Sequence, residues 1–123
     1  MPRFVASILA AVLNQRERSL KGSMVFLIGA SYKRHGNDAQ ESPAIEIISE
    51  LWRRGAKADY HDPYVPTLEV EGRLIHSHVM VDETIEAADC VVIVTDHSCI
   101  DYPQVVELAA VIVDTRNATR SIV

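Results

Sequence analysis

Lys21-Gly22-Ser23-Met24-Val25-Phe26-Leu27-Ile28-Gly29 decides the fold. The run from Met24 to Ile28 is continuously apolar and stops at Gly29, as a strand covered on both faces does. A polar stretch from Ala30 to Glu41 follows, carrying Tyr32, Lys33, Arg34, His35, Gly36, Asn37 and Asp38, and gives way to Ser42-Pro43. Serine is a good helix N-cap and proline fits the first helical position. The helix so announced has an apolar face of Ala44, Ile45, Ile48, Leu51 and Trp52, a Glu50 to Arg54 pair, and Gly55 as its stop. Lys57 to His61 reads as the next strand, and the two prolines of Asp62-Pro63-Tyr64-Val65-Pro66 end it in a loop.

Downstream, Val70 to Val81 is ambiguous: Glu71-Gly72 resembles a hairpin turn, and either Leu74-Ile75 or Val79-Met80-Val81 offers a short strand, with the register open. Asp82 to Ala88 suits a short helix, Cys90 to Thr95 a buried strand, Tyr102 to Ala109 another helix and Val111 to Asp114 a last strand. Helices separate strands throughout, so the expected class is α/β: a Rossmann-like open parallel sheet with helices on both faces. Upstream, Phe4, Val5, Ile8, Leu9, Val12 and Leu13 repeat at helical spacing and end in Arg16-Glu17-Arg18, which predicts one amphipathic N-terminal helix. Its apolar stripe needs a cover: this domain's own core, a second copy of the chain, or a further domain.

Composition bounds the function. At 123 residues the chain makes one compact unit, and 48% hydrophobic with 24% charged residues is an ordinary globular balance. A domain of this size buries enough surface to need no disulfide or metal staple, and two cysteines fit a reducing compartment, so a cytoplasmic location is expected. The run Phe4 to Leu13 is too short to span a bilayer and leads into Asn14-Gln15-Arg16 without a small-residue cleavage site. A formal charge of −5 disfavours nucleic acid and anionic membrane as partners. An anionic ligand must therefore be held locally.

Open parallel sheets bind ligands beyond the carboxyl ends of their strands. The first strand leads to Tyr32 and Lys33, the second to His61 and Asp62, a later one to Thr95-Asp96-His97-Ser98, and the last to Thr115-Arg116-Asn117. Arg116 breaks an otherwise acidic stretch, since Lys and Arg are absent between Arg73 and Arg116. Lys33 and Arg116 can offer two cations to a diphosphate, with the helix start at Pro43 adding its positive end, or they are solvated surface charges. Tyr32 either lies against a nucleobase or closes the edge of the sheet. No glycine-rich phosphate motif can be built around Gly29 and Gly36. His76 and His78, alternating on one strand face, supply only half a metal site with His61 or Asp62 and read as surface imidazoles. Cys90 reads as a small core residue, and Cys99, two residues after His97, as inert rather than nucleophilic.

Taken in order, Leu20-Lys21-Gly22-Ser23, Gly29 with Tyr32-Lys33, Glu41-Ser42-Pro43-Ala44, Tyr60-His61-Asp62-Pro63-Tyr64-Val65-Pro66, Thr95-Asp96-His97-Ser98 and Val113-Asp114-Thr115-Arg116-Asn117-Ala118 resemble the C-terminal, UDP-binding domain of the UDP-glucose/GDP-mannose dehydrogenase family. They are most similar to its UDP-N-acetylhexosamine dehydrogenase branch. The resemblance implies a domain at residues 21–123 that grips UDP or a UDP-sugar through Tyr32, Lys33 and Arg116. It implies that residues 1–20 are the end of the family's central dimerisation domain, with a homodimer through that helix. The intact family enzyme oxidises the C6 alcohol of a UDP-sugar to the uronate with NAD. Its catalytic cysteine and lysine and its NAD loop belong to upstream domains, so this chain is expected to hold neither catalytic residue, NAD nor metal, and to be inactive alone. Two positions depart from the family pattern: His35 stands where an acid is usual and Gln40 where an arginine is, which weakens the expected phosphate grip. The alternative is a non-catalytic assembly module that pairs through the N-terminal helix.

Overall fold

The computed structural model describes residues 2–15, 19–30, 43–94 and 100–114. Ten elements follow one another: α1 (Pro2–Gln15), β1 (Met24–Ile28), α2 (Pro43–Arg53), β2 (Lys57–His61), β3 (Thr67–Val70), β4 (Arg73–His76), α3 (Asp82–Ala87), β5 (Cys90–Ile93), α4 (Tyr102–Leu108) and β6 (Ile112–Asp114). Four strands form one parallel sheet in the order β2-β1-β5-β6. The expected α/β sheet is therefore present, and its two central strands are the two uninterrupted apolar runs. Val25 to Ile28 and Cys90 to Ile93 are all buried. Edge strand β2 instead alternates, burying Ala58 and Tyr60 while Lys57 is exposed.

Alternation along β1 assigns the two faces. Val25 and Leu27 join one apolar cluster with Leu9 and Leu13 of α1 and Ile47, Ile48 and Leu51 of α2. Phe26 and Ile28 join a second with Ile85 of α3 and Tyr102 and Val105 of α4. Helices thus cover both faces. Within the α1 stripe, Leu9 and Leu13 are covered by the chain's own core and have no exposed surface, while Ile8 and Val12 are half-buried. At the end of α2, Arg54, one residue past the helix, donates from Nε to Glu50 Oε2 at 2.8 Å, and Arg53 also pairs with that carboxylate, which offsets the burial of Glu50. The expected N-cap, Ser42, lies outside the described residues.

The segment after Pro66, expected to be a loop, carries strand β3, which pairs antiparallel with β4 from Thr67↔His76 to Val70↔Arg73. The prolines end β2 without preventing a new strand, because Leu68 and Val70 alternate inward onto the α2 side of the core. Glu71 and Gly72 form its two-residue turn with φ of 51° and 76°, a conformation that glycine supplies without a Cβ penalty. The hairpin rests on α2 through Arg73, whose guanidinium lies 4.6 Å from the Trp52 ring centroid. Leu74-Ile75 is the strand, and Val79-Met80-Val81 is not.

Candidate functional site at the carboxyl edge of the sheet

β1 has β2 on one side and β5 on the other, so the direction in which strands are added reverses between β1 and β5. Ligands of doubly wound sheets bind beyond the strand ends at such a reversal. The described residues at that edge include the ends of β1, β2, β5 and β6, with Ser77 and His78 beside β2.

Asp62, one residue past β2, organises this edge. Its side chain is buried, Oδ2 accepts from the Ala30 N–H at 2.6 Å, and Oδ1 accepts from the Tyr64 N–H at 2.8 Å. A carboxylate at the end of one strand thereby fixes the backbone leaving its neighbour. The Gly29 N–H donates to the His61 carbonyl at 2.8 Å, and the Val94 N–H to the Ile28 carbonyl at 2.8 Å. Ser77 and His78 close the outer side of β2: the Asp62 N–H donates to Ser77 Oγ at 3.0 Å and the His78 N–H to the Tyr60 carbonyl at 2.9 Å. Two imidazoles add to the strap. His61 Nδ1 lies 2.7 Å from the His78 carbonyl oxygen, and His78 Nε2 lies 3.3 Å from Asp59 Oδ1.

Beneath the edge, the Tyr60 hydroxyl donates to the Val65 carbonyl at 2.9 Å, and burial, with the Asp62 charge beside it, pushes the phenol up to about 12. Burial and then Asp89 push the Cys90 thiol up to about 12, so this cysteine is the small core residue expected of it. Two grooves, of about 780 Å³ beside Lys21 and Arg54 and about 520 Å³ beside Trp52, Lys57 and Arg73, open at the opposite, amino edge of the sheet.

Tyr32, Lys33 and Arg116 lie outside the described residues, as do His35, Gln40, Cys99 and the segment Thr95 to Ser98. Residue 32 follows β1 and residue 116 follows β6, two strands separated only by β5. The pairing of His76 with His78 on one strand face is corrected: β4 ends at His76, and His78 has turned away to bind β2. Among the described residues no three His, Cys, Asp or Glu side chains gather as a metal site. Asp62 is the residue whose role the sequence reading missed; its position directly after a strand and before Pro63 was the available signal.

The NAD loop is expected in upstream domains of the intact family enzyme, not in this chain. Directly after β1, the N–H groups of Gly29 and Ala30 are held by the His61 carbonyl and by Asp62.

Residues 26–121 match the model of the UDP-glucose/GDP-mannose dehydrogenase family, UDP binding domain. The chain belongs to this family. Among curated relatives of this dehydrogenase family, it is 30% identical over 97 residues to UDP-N-acetyl-D-mannosamine dehydrogenase of Methanococcus maripaludis strain C7, covering 79% of this chain and 21% of that protein. It is also 30% identical over 99 residues to UDP-glucose 6-dehydrogenase TuaD of Bacillus subtilis strain 168, covering 79% and 20%. The solved structure of an NDP-N-acetyl-D-galactosaminuronic acid dehydrogenase from Methanosarcina mazei Go1 superposes with a TM-score of 0.78 at 24% identity, over 95% of this chain and 25% of that one. The UDP-N-acetyl-mannosamine dehydrogenase Cap5O of Staphylococcus aureus gives 0.66 at 26%, over 95% and 27%. The chain thus spans about a fifth of the curated dehydrogenases it matches. Its sheet is that of a UDP-binding domain, and no described helix is long and apolar enough to cross a membrane.

Proposed function

We propose that this chain binds the UDP moiety of a nucleotide sugar over the carboxyl edge of its sheet, as the UDP-holding part of an enzyme that oxidises a UDP-sugar C6 alcohol to the uronate. The carrying observation is the strand order β2-β1-β5-β6, whose reversal beside β1 makes one ligand-binding edge out of the strands that precede Tyr32, Lys33 and Arg116. All three residues fall inside the matched span 26–121. In this reading Lys33 and Arg116 neutralise the diphosphate and Tyr32 frames the uracil. NAD and the oxidation chemistry belong to other parts of the intact enzyme. Residues 1–20 are the end of a preceding helical domain that pairs two copies, and residues 21–123 hold the nucleotide.

Calorimetric titration with UDP, UMP and uridine tests the assignment. Charge-assisted hydrogen bonds are worth about 1.5 to 3 kcal/mol each, so Lys33→Ala and Arg116→Ala should each weaken UDP by about tenfold or more while leaving uridine nearly unchanged. UDP affinity indifferent to both substitutions refutes the site.

A further inference from the structure

We propose that His61 is a ligand-contacting residue, whose Nε2 accepts a hydrogen bond from a hydroxyl group of the bound sugar nucleotide; this rests on the reading just given. His61 is the last residue of β2 and stands at the carboxyl edge, its Cα in register with Ile28 at the end of β1. A ligand seated at the reversal beside β1 reaches it by extending one strand spacing, about 4.8 Å, past β1. Its ring has a defined proton. The His78 carbonyl 2.7 Å from Nδ1 can only accept, so in the neutral ring Nδ1 carries the hydrogen and Nε2 carries the lone pair. Nε2 has no hydrogen-bond partner among the described residues, and the contact that orients the ring is itself at the surface. The imidazole is held by one nitrogen and presents the other.

The lone pair selects what that nitrogen takes. The carboxylates closest in sequence are already engaged, Asp59 by the His78 imidazole and the buried Asp62 by the Ala30 and Tyr64 N–H groups. A lone pair at Nε2 takes a hydrogen-bond donor, which an ionised phosphate does not supply and a hydroxyl does. A ribose or hexose hydroxyl is that donor, and the diphosphate is left to the proposed cations Lys33 and Arg116.

His61→Asn separates this role from a structural one, because the asparagine amide nitrogen replaces Nδ1 as donor to the His78 carbonyl while nothing replaces Nε2. The expected result is an unchanged urea midpoint with affinity for UDP or UDP-glucose lowered about two- to tenfold, the worth of one neutral hydrogen bond. A loss seen with UDP itself assigns the ribose hydroxyl; a loss confined to UDP-glucose assigns the hexose. Affinity unchanged for both overturns the proposal, and so does an equal loss for inorganic pyrophosphate, which would make the contact an anion site. Should the variant fold poorly, the wild-type chain carrying ¹⁵N-histidine decides: the His61 Nε2 resonance moves on saturation with UDP-glucose, and a resonance that stays still refutes the contact. Wild-type chain that binds neither nucleotide overturns both readings; binding with a silent His61→Asn overturns this one alone.

Discussion

Replacing Asp62 by alanine is the most informative perturbation of the scaffold. Among the described residues the carboxylate accepts backbone hydrogen bonds from Ala30 at 2.6 Å and Tyr64 at 2.8 Å, and their settings differ. Ala30 is fully buried, so its amide loses its acceptor where water is excluded, at a cost of about 1 to 3 kcal/mol. Tyr64 is 38% exposed, so water takes over much of its bond and the loss there is about 0.5 to 1 kcal/mol. Asp62→Ala should therefore cost about 2 to 4 kcal/mol, against about 6 to 18 kcal/mol for the total stability of a domain this long. Asp62→Asn keeps one carbonyl oxygen of the same reach and satisfies one of the two donors, so about half that cost is expected. Urea unfolding followed by tryptophan fluorescence reads the difference through Trp52. With a denaturant slope of about 2 kcal/mol per molar, alanine should lower the midpoint by about 1 to 2 M and asparagine by about half as much. A midpoint for Asp62→Ala within about 0.3 M of wild type, or an asparagine variant less stable than alanine, refutes the view that this carboxylate holds the β1 and β2 ends together.

Two further outcomes follow from burial. Tyr60 and Cys90 each titrate near 12 in the folded chain, above their unfolded values of 10.0 and 9.0, so below about pH 9 their contribution is complete and stability falls as pH rises from there towards 12; Cys90→Ala should shallow that decline in an alkaline unfolding series, and an identical slope would contradict it. Leu13 is fully buried among the residues joining α1 to α2, so Leu13→Ala should cost about 2 to 4 kcal/mol in urea or thermal unfolding, whereas a loss under about 0.5 kcal/mol would mean that α1 is not part of this core.

The parts legible in the sequence were those whose physics is local. β1 and β5 are uninterrupted apolar runs because both of their faces are covered, and α2 shows both its periodic face and its Glu50 to Arg54 pair within eleven residues and the turn after them. The hairpin resisted reading because β4 carries little burial pattern: Leu74 is 62% exposed, Arg73 is exposed while lying over the Trp52 ring, and Ile75 is half-buried against the core. The contact that seats the arginine comes from a helix some twenty residues earlier, which alternation alone cannot show. The strap formed by Ser77 and His78 has the same character: its partners are Tyr60, His61 and Asp62, and no periodicity links them.

The proposed site was read from topology rather than from a motif. A glycine-rich phosphate loop works by presenting free backbone amides after the first strand. Here the first two amides after β1 join the strand ends, Gly29 to the His61 carbonyl and Ala30 to the Asp62 carboxylate. The chain's net charge of −5 opposes an anion overall, so the proposed reading gives the diphosphate to cationic side chains that follow the strand ends in sequence. Lys33 and Arg116 are the residues proposed for that work, and removing them is the decisive test of what this edge binds.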